Sequence, residues 1–213
     1  IEAFLPRGWF PSVAPGTKFV TQGGMIAADV HGKNHHKDGS FGTYLDWIDV
    51  VTGDGTVHRC SKAENTELFE WTVGGMGLTG VIIRAAIRLR PVSSTWIEQR
   101  TMVAENISHA IEIFEKFQDT TYSVAWIDCL QHGKSLGRSL VMLGEHAEAE
   151  SIPLKHKKQP LQLPFKRKLR IPIKFPSWAL NSLSVRAFNA FYYWNGKRNH
   201  QKKLVDLDSY FFP

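Results

Sequence analysis

Cysteine is scarce in this 213-residue chain: Cys60 and Cys129 are the two present. Two are too few for a disulfide scaffold or a four-cysteine zinc site, so they read as core or strand residues in a reducing compartment. Long apolar runs are missing too. No stretch reaches the roughly 18–20 consecutive apolar residues that a membrane-spanning helix needs. There is no internal repeat and no secretory leader pattern, and position 1 is Ile rather than Met. With the apolar end Phe211-Phe212-Pro213, this reads as an internal piece of a longer protein. Hydrophobic residues at 43% and charged residues at 22% are ordinary globular proportions, which excludes collagen and wholesale disorder. The length suits one large domain or two small ones with a real core.

Acidic residues are absent where basic ones gather. The formal net charge is +6, but residues 1–150 carry 13 Lys+Arg against 18 Asp+Glu, a net of −5. Residues 151–213 carry 13 Lys+Arg against only Asp206 and Asp208, a net of +11. Lys155 to Lys174 holds eight basic residues and no acid, interleaved with Leu, Ile, Phe and Pro. Such a segment is a solvated loop, a contact for an anionic membrane surface or a nucleic-acid patch. No recognised nucleic-acid fold motif accompanies it, so nucleic acid is not the expected partner.

The pattern predicts an α+β fold. From Phe10 to Gly42 the chain is dense in Gly and polar residues and reads as loops and short strands. Leu45–Val51 is a strand, Asp54-Gly55 a turn and Thr56–Cys60 the returning strand. Asn65 or Thr66 caps a short helix carrying Leu68, Phe69 and Trp71, and Val81–Leu89 is a further strand ended by Pro91. Ser108 is the expected cap of a helix with Ala110, Ile111, Ile113, Phe114 and Phe117 on its apolar face. Strands follow at Tyr122–Leu130 and Leu136–Leu143. Prolines at 153, 160, 164, 172 and 176 exclude a long helix there, and Trp178–Trp194 reads as helical.

Three clusters carry candidate chemistry. In Pro15-Gly16-Thr17 and Thr21-Gln22-Gly23-Gly24-Met25-Ile26-Ala27, glycines allow a ligand to approach the backbone, and free N–H groups suit a phosphate. Neither a Walker A loop nor a Rossmann fingerprint is present. His31-Gly32-Lys33-Asn34-His35-His36 offers donors and imidazoles, the side chain that exchanges protons near neutrality. A zinc-protease helix also spaces its histidines by four, but it needs a Glu beside the first, and Gly32 and Asn34 argue against a helix. No metal is therefore expected. Gly74-Gly75-Met76-Gly77-Leu78-Thr79-Gly80-Val81-Ile82 is either a tight turn or backbone brought against a flat ligand.

Taken in order, Pro-Gly-Thr, Gly-Gly-x-Ile-Ala-x-Asp-Val-His-Gly, Gly-Ser-Phe-Gly, Asp54-Gly55, Glu67-Leu68-Phe69 and Gly-Leu-Thr-Gly-Val-Ile resemble the flavin-binding domain of the vanillyl-alcohol-oxidase (PCMH-type) family. The His31–His36 string narrows the resemblance to the branch that oxidises a polyprenyl-phosphate pentose for cell-wall precursors. The likeness is dense over about residues 8–95, looser to Arg138 and faint beyond Pro153.

The resemblance implies part of a PCMH-type FAD-binding domain at 1–94 and part of an α+β substrate (cap) domain at 95–213. It implies non-covalent FAD held by Gly16, Thr21, Gln22, Gly23, Gly24, Ala28, Asp29, Val30, His31 and Ile82. His31 would also face the substrate, as the candidate catalytic residue, with Gly16 and Lys33 on the same wall. The reaction would be hydride transfer from a sugar or alditol alcohol to flavin N5, giving a ketone, with a reductase partner completing an epimerisation. The parent would be about twice as long, with a first flavin loop ahead of Ile1 and a Lys and a Tyr contact far downstream. On that reading the 213 residues alone would retain FAD poorly.

Overall fold

The structure is a computed structural model that describes residues 1–163 and 179–212. It is mixed helix and sheet. The chain divides into two compact units. The first is Ile1–Thr95 with His146–Gln162 and the residues from Leu207 onward; the second is Trp96–Glu145 with residues 163–206.

In the first unit, β1 (Trp9–Pro11) pairs antiparallel with β5 (Leu89–Pro91). A second sheet, of order β3-β2-β4, is built from β2 (Leu45–Val51), β3 (Val57–Ser61) and β4 (Val81–Ile87), all antiparallel. The β2–β3 turn is held by Asp54. Its carboxylate accepts the Thr52 hydroxyl at 2.6 Å, the Thr56 hydroxyl at 2.9 Å and the Thr56 N–H at 3.0 Å. The Thr52 and Thr56 donors together draw its pKa down to about 2. Met25, Ile26, Phe41, Leu45, Ile48, Val50, Cys60 and Phe69 form the core.

The glycine-rich segment is more helical than its composition predicts. It contains α1 (Gln22–Ala27) and α2 (His35–Asp38). The Thr21 hydroxyl caps α1 by accepting the Gly24 N–H at 3.0 Å, and Met25 and Ile26 are buried. Capping and burial together outweigh the poor helix propensity of a Gly-Gly pair. The short helix α2 begins directly after Asn34, its N-cap. Helix α3 (Thr66–Thr72) has Asn65 as its N-cap, and α6 (Leu207–Phe211) closes the unit.

The second unit is a four-stranded sheet of order β7-β8-β6-β9, with β6 (Trp96–Ala104), β7 (Tyr122–Ile127), β8 (Ser139–His146) and β9 (Lys203–Asp206). Helix α4 (Ile107–Lys116) buries Ala110 and Ile113 against Ala104, Val141 and Leu143. Its cap is Asn106, two residues before the expected Ser108, and the Asn106 side chain accepts the His109 N–H at 2.9 Å. Helix α5 (Ser182–Arg198) starts at a capping box on Asn181.

Strand β7 ends three residues before the expected Leu130, because Asp128 turns inward and its carboxylate takes the Leu130 N–H at 3.2 Å. Cys129 is therefore exposed in the turn, whereas Cys60 is buried. Most of the expected basic segment, from residue 164 to Lys174, and the expected helix start at Trp178 lie outside the described residues.

Candidate functional site

The candidate site is built within the first unit. Helix α1 lies beside β4, so that a Cβ placed on Gly23 would stand 3.8 Å from the Ile82 carbonyl oxygen and 3.9 Å from Ile82 Cβ. Two expected ligand residues far apart in sequence are thus neighbours. In front of α1 runs the exposed segment Gly16–Gln22. Pro15, Thr17, Gln22, Met25, Phe41 and Ala85 line a cleft of about 400 Å³. That volume is within the usual range of small-molecule sites.

The glycines separate into two kinds. A Cβ on Gly75 would fall 1.9 Å from the Trp71 carbonyl oxygen, and Gly80 holds a φ of +152°. The fold itself demands glycine at both. Gly16 and Gly23 have no such reason: neither has a positive φ, and a Cβ on Gly16 would meet nothing within 4 Å. At Gly23 it would meet only ordinary contacts. A helical glycine costs about 1 kcal/mol relative to Ala, and neither backbone nor packing within the chain calls for one at Gly23.

The loop after α1 is tightly organised. Asp29 adopts a φ of +40°, and its carboxylate accepts the Gly42 N–H at 2.7 Å. The Val30 carbonyl accepts the Phe41 N–H at 2.9 Å, and Ala28 donates to the Gly24 carbonyl at 3.0 Å. His31 forms a bridge with Ser40, and its exposed ring lies 5.2 Å from that of His35. Gly32 packs so closely on Ala14 that a Cβ would stand 2.6 Å from the Ala14 carbonyl oxygen. The His31–Lys33 turn is thereby set beside Ala14-Pro15-Gly16. Lys33 is half-buried; it donates to the Tyr210 carbonyl, and its ammonium lies 4.6 Å from the Tyr210 ring centre. Burial lowers its pKa.

Four residues position the histidine loop, and three of them, Asp38, Tyr44 and Arg90, carry no local sequence signal. Buried Asn34 donates to the Ser12 carbonyl at 2.7 Å and to Asp38 at 2.6 Å. Asp38 also accepts the Tyr44 hydroxyl at 2.9 Å and an ion pair from Arg90. Burial pushes the Asp38 pKa up, but the Asn34, Arg90 and Tyr44 donors outweigh it and leave it lowered. This network anchors the histidine loop to the core. Asn34 stands inside the singled-out string, but no local signal links it to Arg90, over fifty residues away. Among the described residues no group of three His, Cys, Asp or Glu comes together as a metal site.

Glycines freed of packing duty, a capped helix start and a cleft walled by Met25, Phe41 and Ala85 fit a dinucleotide with a flat ring. The comparisons agree on the class: residues 1–61 match the family described as FAD binding domain, and FAD is the cofactor of the chain. The chain is 32% identical over its full length to decaprenylphosphoryl-beta-D-ribose oxidase of Mycolicibacterium smegmatis, covering 47% of that protein. It is 38% identical to an uncharacterized protein in the mprA 5' region of Streptomyces coelicolor, over 75% of this chain and 43% of that one. Cytokinin dehydrogenase 5 of Arabidopsis thaliana is 40% identical over 43% of this chain and 17% of its own length. The chain thus spans about half the length, or less, of the curated relatives it matches. The alternative of a non-catalytic nucleic-acid or membrane module gains nothing from these relatives.

Proposed function

We propose that the protein carrying this chain is an FAD-dependent oxidoreductase that oxidises an alcohol carbon of a lipid-linked pentose to a ketone. One observation carries the reading: the likeness to the ribose oxidase extends over the whole chain, both units included, whereas that to the cytokinin dehydrogenase stops at 43% of it. When bound, FAD supplies the hydride acceptor. The backbone of Gly16 and of Thr21, Gln22, Gly23 and Gly24 would hold its phosphates and ring without covalent attachment. Ala28, Asp29, Val30 and His31 would continue along it, with Ile82 as an apolar wall. Asp29 would contribute backbone, since its carboxylate already serves Gly42.

His31, exposed at the end of this run, would receive the hydroxyl proton of the substrate. Gly16 and Lys33 would share its pocket wall. The Lys33 ammonium, which donates to the Tyr210 carbonyl, would be a cation suited to a phosphate. Residues 1–94 would form the flavin domain and residues 95–213 the substrate domain, and a reductase would take the keto product onward to the epimer.

The test is reduction of the flavin under anaerobic conditions. A decaprenyl-phosphate pentose should bleach the purified flavoprotein, and free alditols should not. A preparation lacking flavin absorption, or one bleached equally by an alditol, would refute the assignment. His31→Gln should slow bleaching about 100-fold or more while leaving the oxidised spectrum unchanged.

A further inference from the structure

Helix α5 packs polar side chains on its sheet and exposes several large apolar ones to solvent, Phe188 and Tyr192 among them. On the packed side, buried Asn189 donates to Asp128 at 2.7 Å and the Tyr193 hydroxyl donates to the Ala104 carbonyl at 3.2 Å. Gly196 lies so close to the sheet that a Cβ would stand 2.2 Å from Leu140 Cδ1. On the opposite side, Leu183, Phe191 and Trp194 follow one another at helical spacing and are 76%, 62% and 51% exposed. Ala187 and Ala190 lie between them, and Leu180, 77% exposed, extends the stripe ahead of the helix. Single exposed apolar residues are ordinary; an aligned set with two aromatics is not.

The charged residues of the helix itself have one sign, although Glu98 of β6 and Glu105 just after that strand stand near its C-terminal end. Arg186, Lys197 and Arg198 lie on the helix and Lys202 and Lys203 follow it, and no acidic residue occurs between Ser151 and Val205. Lys202 pairs with Glu98, while Arg198 covers the Trp194 ring at 4.7 Å. No described helix is long and apolar enough to cross a membrane.

We infer that the outward face of α5 is an interfacial helix that seats the second unit on an anionic lipid surface. Leu183, Phe191 and Trp194 enter the headgroup–acyl boundary, and Lys197 and Arg198 meet lipid phosphate. A second copy of the chain is the poorer occupant, because pairing two such faces sets cation against cation. Nucleic acid would satisfy the cations and leave Leu183 and Phe191 in water. The inference rests on the proposed function only in that a lipid-linked substrate gives the enzyme a reason to reach a bilayer; its geometry stands on α5 alone.

The test is flotation of the purified protein with phosphatidylcholine vesicles, with and without phosphatidylglycerol. Binding should require phosphatidylglycerol and weaken with salt. The variant L183S/F191S/W194S should lower partitioning at least about tenfold, since three side chains leave the boundary. The variant K197E/R198E should abolish the preference for phosphatidylglycerol. Circular dichroism and flavin absorption, unchanged in both, show that the fold and the flavin reading are intact. A wild-type protein that does not float, or a triple variant that floats as well as wild type, overturns the inference. So does a wild-type dimer that the triple variant converts to monomer, or DNA retention that it abolishes.

Discussion

The Asp29 carboxylate accepts the Gly42 N–H at 2.7 Å while Asp29 itself holds a left-handed backbone with φ +40°. One residue thus turns the chain at the end of α1 and ties it to the start of the next segment. Asn is the substitute that tolerates the left-handed region and keeps an acceptor oxygen. Asp29→Asn should therefore stay within about 1 kcal/mol of wild type. Asp29→Ala leaves a half-buried N–H unsatisfied and adds backbone strain, and should cost on the order of 3 kcal/mol. Denaturant midpoints of the two variants check this.

The two kinds of glycine give opposite expectations. Gly23→Ala adds a methyl that meets only ordinary contacts and improves helix propensity, so the flavin-free protein should be as stable as wild type or more so, by up to about 1 kcal/mol. FAD affinity should nevertheless fall at least about tenfold, as the methyl occupies space a ligand needs. Gly75→Ala places a methyl 1.9 Å from the Trp71 carbonyl oxygen and should prevent folding at ordinary temperature. Thermal melts of the flavin-free proteins and titration with FAD separate the cases. A Gly23→Ala protein that binds FAD as wild type does would remove Gly23 from the site.

What was legible in the sequence was what local chemistry sets. Strand β2 covers Leu45–Val51, where the apolar pattern predicts it, and Asp54-Gly55 turns it back. Helix α3 lies where Leu68 and Phe69 predicted it. The long-range pieces were not legible. Strand β6 is recognisable by its partners β8 and β9, not by a pattern of its own. Helix α1 exists because Met25 and Ile26 have a core to enter, which the Gly-Gly pair conceals. At the site, glycines and histidines announced themselves as types. The Asp38–Arg90 pair that fixes their loop depends on a separation that only folding closes.

His146 sits edge-on to Phe10 in the first unit, and burial, with the nearby Arg90 charge, lowers its pKa to about 4. An unfolded histidine titrates near 6.5. As pH falls from about 6.5 to 4, the unfolded chain takes up a proton that the folded one refuses, so stability drops, by on the order of 3 kcal/mol at most. His146→Gln removes that dependence. Its unfolding midpoint should change far less than wild type's between pH 7 and about 4.5. Equal slopes for the two proteins over this interval would show that His146 titrates normally.

The second unit should fail in a lower pH window, through Asp128 and Arg138. Asp128 is fully buried, and one of its oxygens takes two bonds from the Arg138 guanidinium, at 2.8 and 3.0 Å. The other accepts Asn189 of α5 and the Leu130 N–H. Burial raises the Asp128 pKa, but Arg138, Asn189 and the Leu130 N–H together bring it below the usual value. The stabilisation is therefore complete above about pH 4 and is lost as pH falls through the lower folded value. Arg138→Ala strands a buried carboxylate and should cost about 3–5 kcal/mol at neutral pH, with α5 loosened from its sheet. The double variant Asp128→Leu with Arg138→Met leaves no buried charge and should recover most of that loss. Urea unfolding of the three proteins, with amide exchange in α5 as the local readout, decides it. If Arg138→Ala is as stable as wild type, the pair does not hold the helix.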